Sequence, residues 1–78
     1  MTKLTDPRVV EEAMVRLAIL TAQSVRVPEK DPGDHYANKE REASVYQEFL
    51  DKARELRSSS ATIKRLERLL DMARYTGD

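Results

Sequence analysis

The chain contains no cysteine and no tryptophan, and its 78 residues include only two glycines and three prolines. Without cysteine it can form neither a disulfide scaffold nor a thiolate zinc site, and it has no thiol nucleophile. It also lacks both an apolar run long enough to cross a membrane and a signal-like segment at its start. We therefore expect a cytoplasmic protein with no membrane partner.

The charges of the chain are balanced, with 14 Lys and Arg residues against 14 Asp and Glu residues. This balance removes the overall positive charge that is typical of nucleic-acid-binding proteins. A chain of this length makes at most one domain, and its core is too small for a deep substrate cavity. We expect a single helical domain over 1–78, with flexible ends at 1–5 and 77–78.

Helix signals divide the chain into three segments. Asp6 and Pro7 have the order of an N-cap followed by a first-turn proline, and Pro28 disfavours helix in the residue before it. Asp34 is a candidate N-cap for a second helix, and the serine triplet 58–60 precedes a third. We predict an all-α, antiparallel three-helix bundle with helices at about 7–27, 34–57 and 60–76. The alternative is an open helical hairpin that completes its core by dimerisation.

Apolar residues recur at helical spacing in the second and third segments. Residues 37–42 carry almost no apolar side chain, so this part of the second helix is expected to fray or to project beyond the core. In the third segment, positions 63, 66, 70 and 73 also follow the spacing of a coiled-coil seam that could pair with its own copy. The predicted core residues are Ala43, Tyr46, Phe49, Leu50, Ala53 and Leu56, followed by Ile63, Leu66, Leu69, Leu70 and Ala73.

The first helix carries apolar residues on two sides. One wide face includes Val10, Leu17 and Leu20 and is taken as the core-facing side. On the other side, apolar residues lie among charged ones. A helix that packs against its neighbours on one side only is not expected to carry apolar residues on its solvent side. Either this second face contacts a partner or a sister chain, or the first helix is central between the other two. The first interpretation predicts a partner-binding surface made of Glu12, Val15, Arg16, Ile19 and Ala22.

No segment carries a catalytic or cofactor-binding pattern. The single histidine, His35, lies near Glu29, Asp31 and Asp34, but this spacing matches neither a zinc site nor an EF-hand loop. A serine nucleophile would have only His35 as its base, and there is no glycine-rich phosphate loop. We therefore expect no enzymatic activity, no cofactor and no metal.

The stretch 53–66, ARELRSSSATIKRL, partly resembles the helix-turn-helix pattern of DNA-binding proteins. Thr62, Ile63 and Arg65 stand where that pattern opens its recognition helix. Arg57, in contrast, stands where the pattern normally has a glycine with positive φ. The resemblance implies DNA contacts by Ser60, Lys64, Arg65 and Arg68.

These features together favour a non-enzymatic protein that acts by binding another protein, as an adaptor, an inhibitor or an assembly subunit. Small helical chains without catalytic motifs are typical of phage and plasmid accessory proteins. Formation of a homodimer is also expected, because so small a core is often completed by self-association. The alternatives are a small helix-turn-helix-like DNA-binding regulator and a purely structural homo-oligomer element.

Overall fold

The computed structural model describes residues 7–75 and contains three helices in this part of the chain. The helices pack against one another as the predicted all-α three-helix bundle, without a strand anywhere in 7–75. None of these helices is both long and apolar enough to cross a bilayer. The predicted Asp6 cap and the predicted flexible ends lie outside the described residues. The elements are α1 (Pro7–Ser24), α2 (Pro32–Glu55) and α3 (Ser60–Arg74).

α2 and α3 form an antiparallel hairpin with a leucine-rich core. Leu50, Leu66 and Leu70 are all buried in one cluster, as predicted. An ion pair of 2.9 Å joins Arg54 of α2 to Glu67 of α3 near the turn. Further along, Lys39 Nζ donates a hydrogen bond of 3.3 Å to the carbonyl of Met72. The two helices are therefore in contact both near the turn and further along α2.

α2 begins earlier than predicted, because Asp31 and not Asp34 is its N-cap. The Asp31 carboxylate accepts a bond from the Asp34 N–H, and the Asp34 carboxylate accepts one from the Asp31 N–H, each at 3.3 Å. This reciprocal pair is a capping box, with Pro32 in the first helical position, where no N–H is needed.

The linker between α1 and α2 is held by Asn38, which is only 1% exposed. The Val27 N–H donates to Asn38 Oδ1 at 2.9 Å, and Asn38 Nδ2 donates to the Val27 carbonyl at 2.8 Å. Nδ2 also lies 3.3 Å from a Glu29 carboxylate oxygen. The expectation that residues 37–42 fray is therefore wrong for the helical turn that contains Asn38. α1 itself ends at Ser24, short of the predicted boundary, and Val27 belongs to the linker.

The turn between α2 and α3 is a left-handed helix cap. Arg57 has a φ of 57°, a region that favours glycine. The Ser58 N–H donates to the Ala53 carbonyl at 2.9 Å, and the Arg57 N–H donates to the Arg54 carbonyl at 3.1 Å. These two bonds are the Schellman pattern. Within the predicted serine triplet, Ser59 caps α3 by accepting a bond from the Thr62 N–H.

Candidate functional site

α1 turns its small side chains towards the hairpin. Val15, Ala18 and Ala22 are each no more than 1% exposed, and Ile19 is half-buried against the same cluster. The prediction that Val15, Ile19 and Ala22 form an exposed partner-binding face is therefore wrong, because these residues line the core. Small side chains allow α1 to approach the hairpin closely.

In this orientation, two carboxylates of α1 bond to α3. Glu11 accepts hydrogen bonds from the Ser59 N–H at 3.2 Å, from the Ser59 hydroxyl at 2.6 Å and from the Thr62 hydroxyl. It thus lies at the N-terminus of α3, where unpaired N–H groups and the helix dipole favour negative charge. Glu12 accepts a bond of 2.8 Å from Arg65. Since both glutamates bind α3, they hold this side of α1 against the hairpin.

The same contacts stabilise the charged forms of both glutamates. Hydrogen bonds from the Ser59 side chain, and then from Thr62, hold the pKa of Glu11 below the ordinary value of 4.5. The hydrogen bond from Arg65 and its positive charge lower the pKa of Glu12. Both side chains therefore reach α3 as carboxylates at neutral pH.

The opposite side of α1 is apolar and exposed. Leu17 and Leu20 are 55% and 61% exposed, and Val9 and Val10 are 42% and 44% exposed. At about 100° per residue, these side chains and Ala13 fall within about 100° of the helix circumference. The apolar excess that the sequence predicted for α1 is therefore present. The assignment of its two sides was wrong, because the side predicted to face the core faces solvent and the side predicted to face a partner faces the core. We call this surface the α1 stripe: Val9, Val10, Ala13, Leu17 and Leu20.

A groove continues the α1 stripe towards the end of α2. Its apolar walls are Val10 and Met14 of α1 and Leu56 at the C-cap of α2. Leu56 was a predicted core residue, but the structure leaves it exposed, because the helix ends there and the chain turns away. The apolar surface is thus wider than α1 alone. The remaining lining residues are Glu11, Arg57 and Ser58.

The charged members of the predicted partner-binding surface lie at one edge of the α1 stripe. Arg16 Nε is 3.8 Å from Glu12 Oε2, and both side chains are exposed. Of the five residues in that prediction, the structure therefore brings Glu12 and Arg16 next to the exposed stripe. It places Val15 and Ala22 in the core and Ile19 beside it.

Three of the four residues of the DNA-binding alternative share one exposed face of α3. Ser60, Lys64 and Arg68 are exposed on α3, whereas Arg65 is bonded to Glu12 of α1. The bond to Glu12 removes Arg65 from the free side chains that the resemblance implies for DNA contact.

Two further sequence patterns, the seam of α3 and the acidic residues near His35, have structural roles in the fold. Leu66, Leu70 and Ala73 are buried inside the single chain, so the proposed self-pairing seam of α3 is not available to a second copy. In the acidic turn, His35 Nδ1 lies 3.4 Å from Glu29, while the two aspartates serve the capping box. Within 7–75, no group of three or more His, Asp or Glu side chains is placed to hold a metal ion.

Comparisons of the chain with protein-family models, with curated proteins and with solved structures gave no match. A second group of exposed apolar side chains, Tyr36, Met72 and Tyr75, lies on α2 and near the end of α3. Unlike the α1 stripe, these side chains do not follow one another along a single helix face.

Proposed function

We propose that this protein is a non-enzymatic, cytoplasmic protein-binding module, and that the α1 stripe docks the apolar face of an amphipathic helix from a partner protein. One observation carries the proposal: the two leucines of α1 point to solvent, while the smaller side chains of Val15, Ala18 and Ala22 fill the core. Soluble monomers rarely leave a contiguous apolar surface exposed unless it contacts something. Covering Leu17 and Leu20, each about half exposed, would contribute roughly 1 kcal/mol per side chain.

The shape of the stripe favours a helical partner. It is a narrow band along one helix, without a charged side chain inside it, and a second helix with apolar residues at i, i+3 or i+4, and i+7 matches such a band. The pair Glu12 and Arg16 at one edge supplies charges that can orient the partner. An adaptor, an inhibitor and an assembly subunit would all use this mode of binding.

The test uses exposed residues, so that the fold is preserved. Leu17→Gln and Leu20→Gln remove apolar surface from the stripe, and Met72→Gln is the matched control, because Met72 is as exposed as Leu20 but lies on α3. The free energy of unfolding of all three variants should lie within about 0.5 kcal/mol of the wild-type value. A photo-crosslinking residue at Ala13 identifies the partner, which is then purified and titrated.

The expected result is that Leu17→Gln weakens binding of the purified partner about tenfold or more, while Met72→Gln leaves it unchanged. Equal weakening by the control variant would contradict the proposal. So would a purified partner whose affinity neither stripe variant alters.

The DNA-binding alternative rests on Lys64 and Arg68, which are exposed i,i+4 neighbours on α3. Retardation of genomic DNA fragments at about 50 mM salt, lost in Lys64→Ala with Arg68→Ala but retained in Leu17→Gln, would favour it. No retardation at that salt concentration would remove it.

A further inference from the structure

The α1 stripe has the spacing of a coiled-coil seam. Val10, Ala13, Leu17 and Leu20 are separated by three, four and three residues, which is the order of a and d positions in a heptad repeat. All four side chains are exposed, and the hairpin lies on the other side of α1. A helix with the same spacing therefore fits along this side.

We propose that, when no other partner is bound, the stripe is covered by the α1 stripe of a second copy of this chain in antiparallel orientation. The inference rests on the proposed function, since it takes the stripe as a docking surface. When Val10 lies opposite Leu20 of the second copy, Ala13 lies opposite Leu17, and the two-fold axis repeats both pairs. Each layer joins a smaller side chain to a larger one, as close packing requires.

A parallel arrangement packs the same side chains less well. It places Ala13 against Ala13, which leaves a gap, and Leu17 against Leu17 in the next layer. The side chains of the stripe therefore pack better against an antiparallel copy of the stripe than against a parallel one.

The groove at the end of α2 extends the antiparallel contact. In the register described above, Leu20 of the second copy reaches the level of Val10, where Met14 and Leu56 form the groove walls. Leu20 thus has an apolar hole that includes a residue from α2. The two-fold axis places the same hole around Leu20 of the first copy.

The stripe itself carries no charge, so the antiparallel contact buries no charged side chain. Glu12 falls at position c of the same heptad and bonds Arg65 of α3, so it lies outside the contact.

The area of the contact predicts a weak dimer. Two helices of the length of α1, packed side by side, bury on the order of 1,000 Å² in total, slightly less than the roughly 1,200 Å² of small specific interfaces. Contacts of this size are typical of weak, reversible association. A partner helix can then displace the second copy, so self-association and partner binding compete for one surface.

Sedimentation equilibrium from about 5 µM to about 1 mM tests the inference on the full chain. The wild type and Met72→Gln should fit the same monomer–dimer equilibrium, and Leu17→Gln should weaken it about tenfold or more. A monomer throughout this range, or dimerisation that Leu17→Gln leaves intact, would overturn the inference. The proposed function would survive that result if a purified partner still depended on Leu17.

Cysteine cross-linking tests the orientation, since the natural chain has no thiol. A mixture of Ala13→Cys and Leu17→Cys chains should give the mixed disulfide in preference to either symmetric one, because only the antiparallel register brings these positions together. Preferential linking of Ala13→Cys to itself would show a parallel dimer and overturn the inference.

Discussion

α1 and the α2–α3 hairpin use their leucines in opposite ways. In the hairpin, Leu50, Leu66 and Leu70 are buried between the two helices. In α1, Leu17 and Leu20 face solvent, and the side chains that are fully buried are those of one valine and two alanines. The hairpin is therefore held by large apolar contacts. α1 gains less from apolar burial and depends more on the polar contacts that it makes with α3.

The two regions should also differ in how easily they open. Regions with few buried apolar contacts and exposed hydrogen bonds unfold locally at low free-energy cost. Glu11 and Glu12, which tie α1 to α3, make bonds of that exposed kind. We therefore expect α1 to detach before the hairpin unfolds, and the element that carries the docking surface is the less firmly held one.

The largest expected effect comes from breaking the hairpin core. Leu66→Ala should reduce the free energy of unfolding by about 3–4 kcal/mol, because Leu66 is fully buried and its loss leaves a cavity. Urea denaturation followed by circular dichroism measures this. The control Leu56→Ala, at an exposed leucine of the same hairpin, should cost less than about 0.5 kcal/mol. Equal costs for the two variants would contradict the assignment of the core.

The next largest effect is expected at the linker that joins the two regions. Asn38→Ala leaves the N–H and the carbonyl of Val27 without their partner and should cost about 2 kcal/mol. Hydrogen exchange at the Val27 amide should accelerate more than exchange in α3. The control Glu40→Ala changes an exposed residue of the same helix and should leave that amide protected. Unchanged exchange at Val27 in Asn38→Ala would show that other contacts hold the linker.

The fold was predictable because its signals are local. The serine at position 59 and the coil between the helices mark the boundaries, and the apolar spacing of α3 identifies Leu66 and Leu70 as core. The boundary at Asp34 was wrong by one turn, because the capping box places one aspartate outside the helix and the other inside it. Asp34 was predicted as the N-cap, and only the structure shows that Asp31 takes this role.

The candidate site was only half predictable. The sequence shows an apolar excess on α1, but side-chain size alone assigns the leucine side to the core. The correct rotation depends on Glu11, which finds its partners some 50 residues away at Ser59 and Thr62. A long-range contact of this kind leaves no periodic signal. The one local sign was that Val15, Ala18 and Ala22 follow Glu11 at the same helical spacing.

Lowering the pH should detach α1 from the α2–α3 hairpin. The pKa of Glu11, Glu12 and Glu29 is lower in the folded chain than the ordinary 4.5. The stability that they contribute is therefore present above about pH 4.5, and it is lost as the pH falls through the lowered values. We expect a melting temperature that is flat from about pH 7 to about pH 5 and declines below that. Amide shifts from two-dimensional NMR should change in α1 before α3.

Glu11→Gln isolates the contribution of one carboxylate. It should lower the melting temperature at pH 7 and flatten its decline in acid, because the charge that is titrated away has already been removed. Glu48→Gln, on the exposed side of α2, is the control and should reproduce the wild-type curve. An equally steep decline in Glu11→Gln would mean that Glu11 does not couple α1 to pH.

The last substitution, Arg57→Gly, should stabilise the hairpin slightly and leave α1 unchanged. Arg57 has a positive φ, which costs a residue with a Cβ about 1–2 kcal/mol, whereas glycine adopts it freely but loses more entropy on folding. Arg57→Gly should therefore raise the free energy of unfolding by about 0.5 kcal/mol, while Arg57→Ala, which keeps a Cβ, should not. If α1 opens separately, hydrogen exchange should slow in α2 and α3 but stay unchanged in α1. Equal slowing in all three helices would show instead that the bundle opens as one unit.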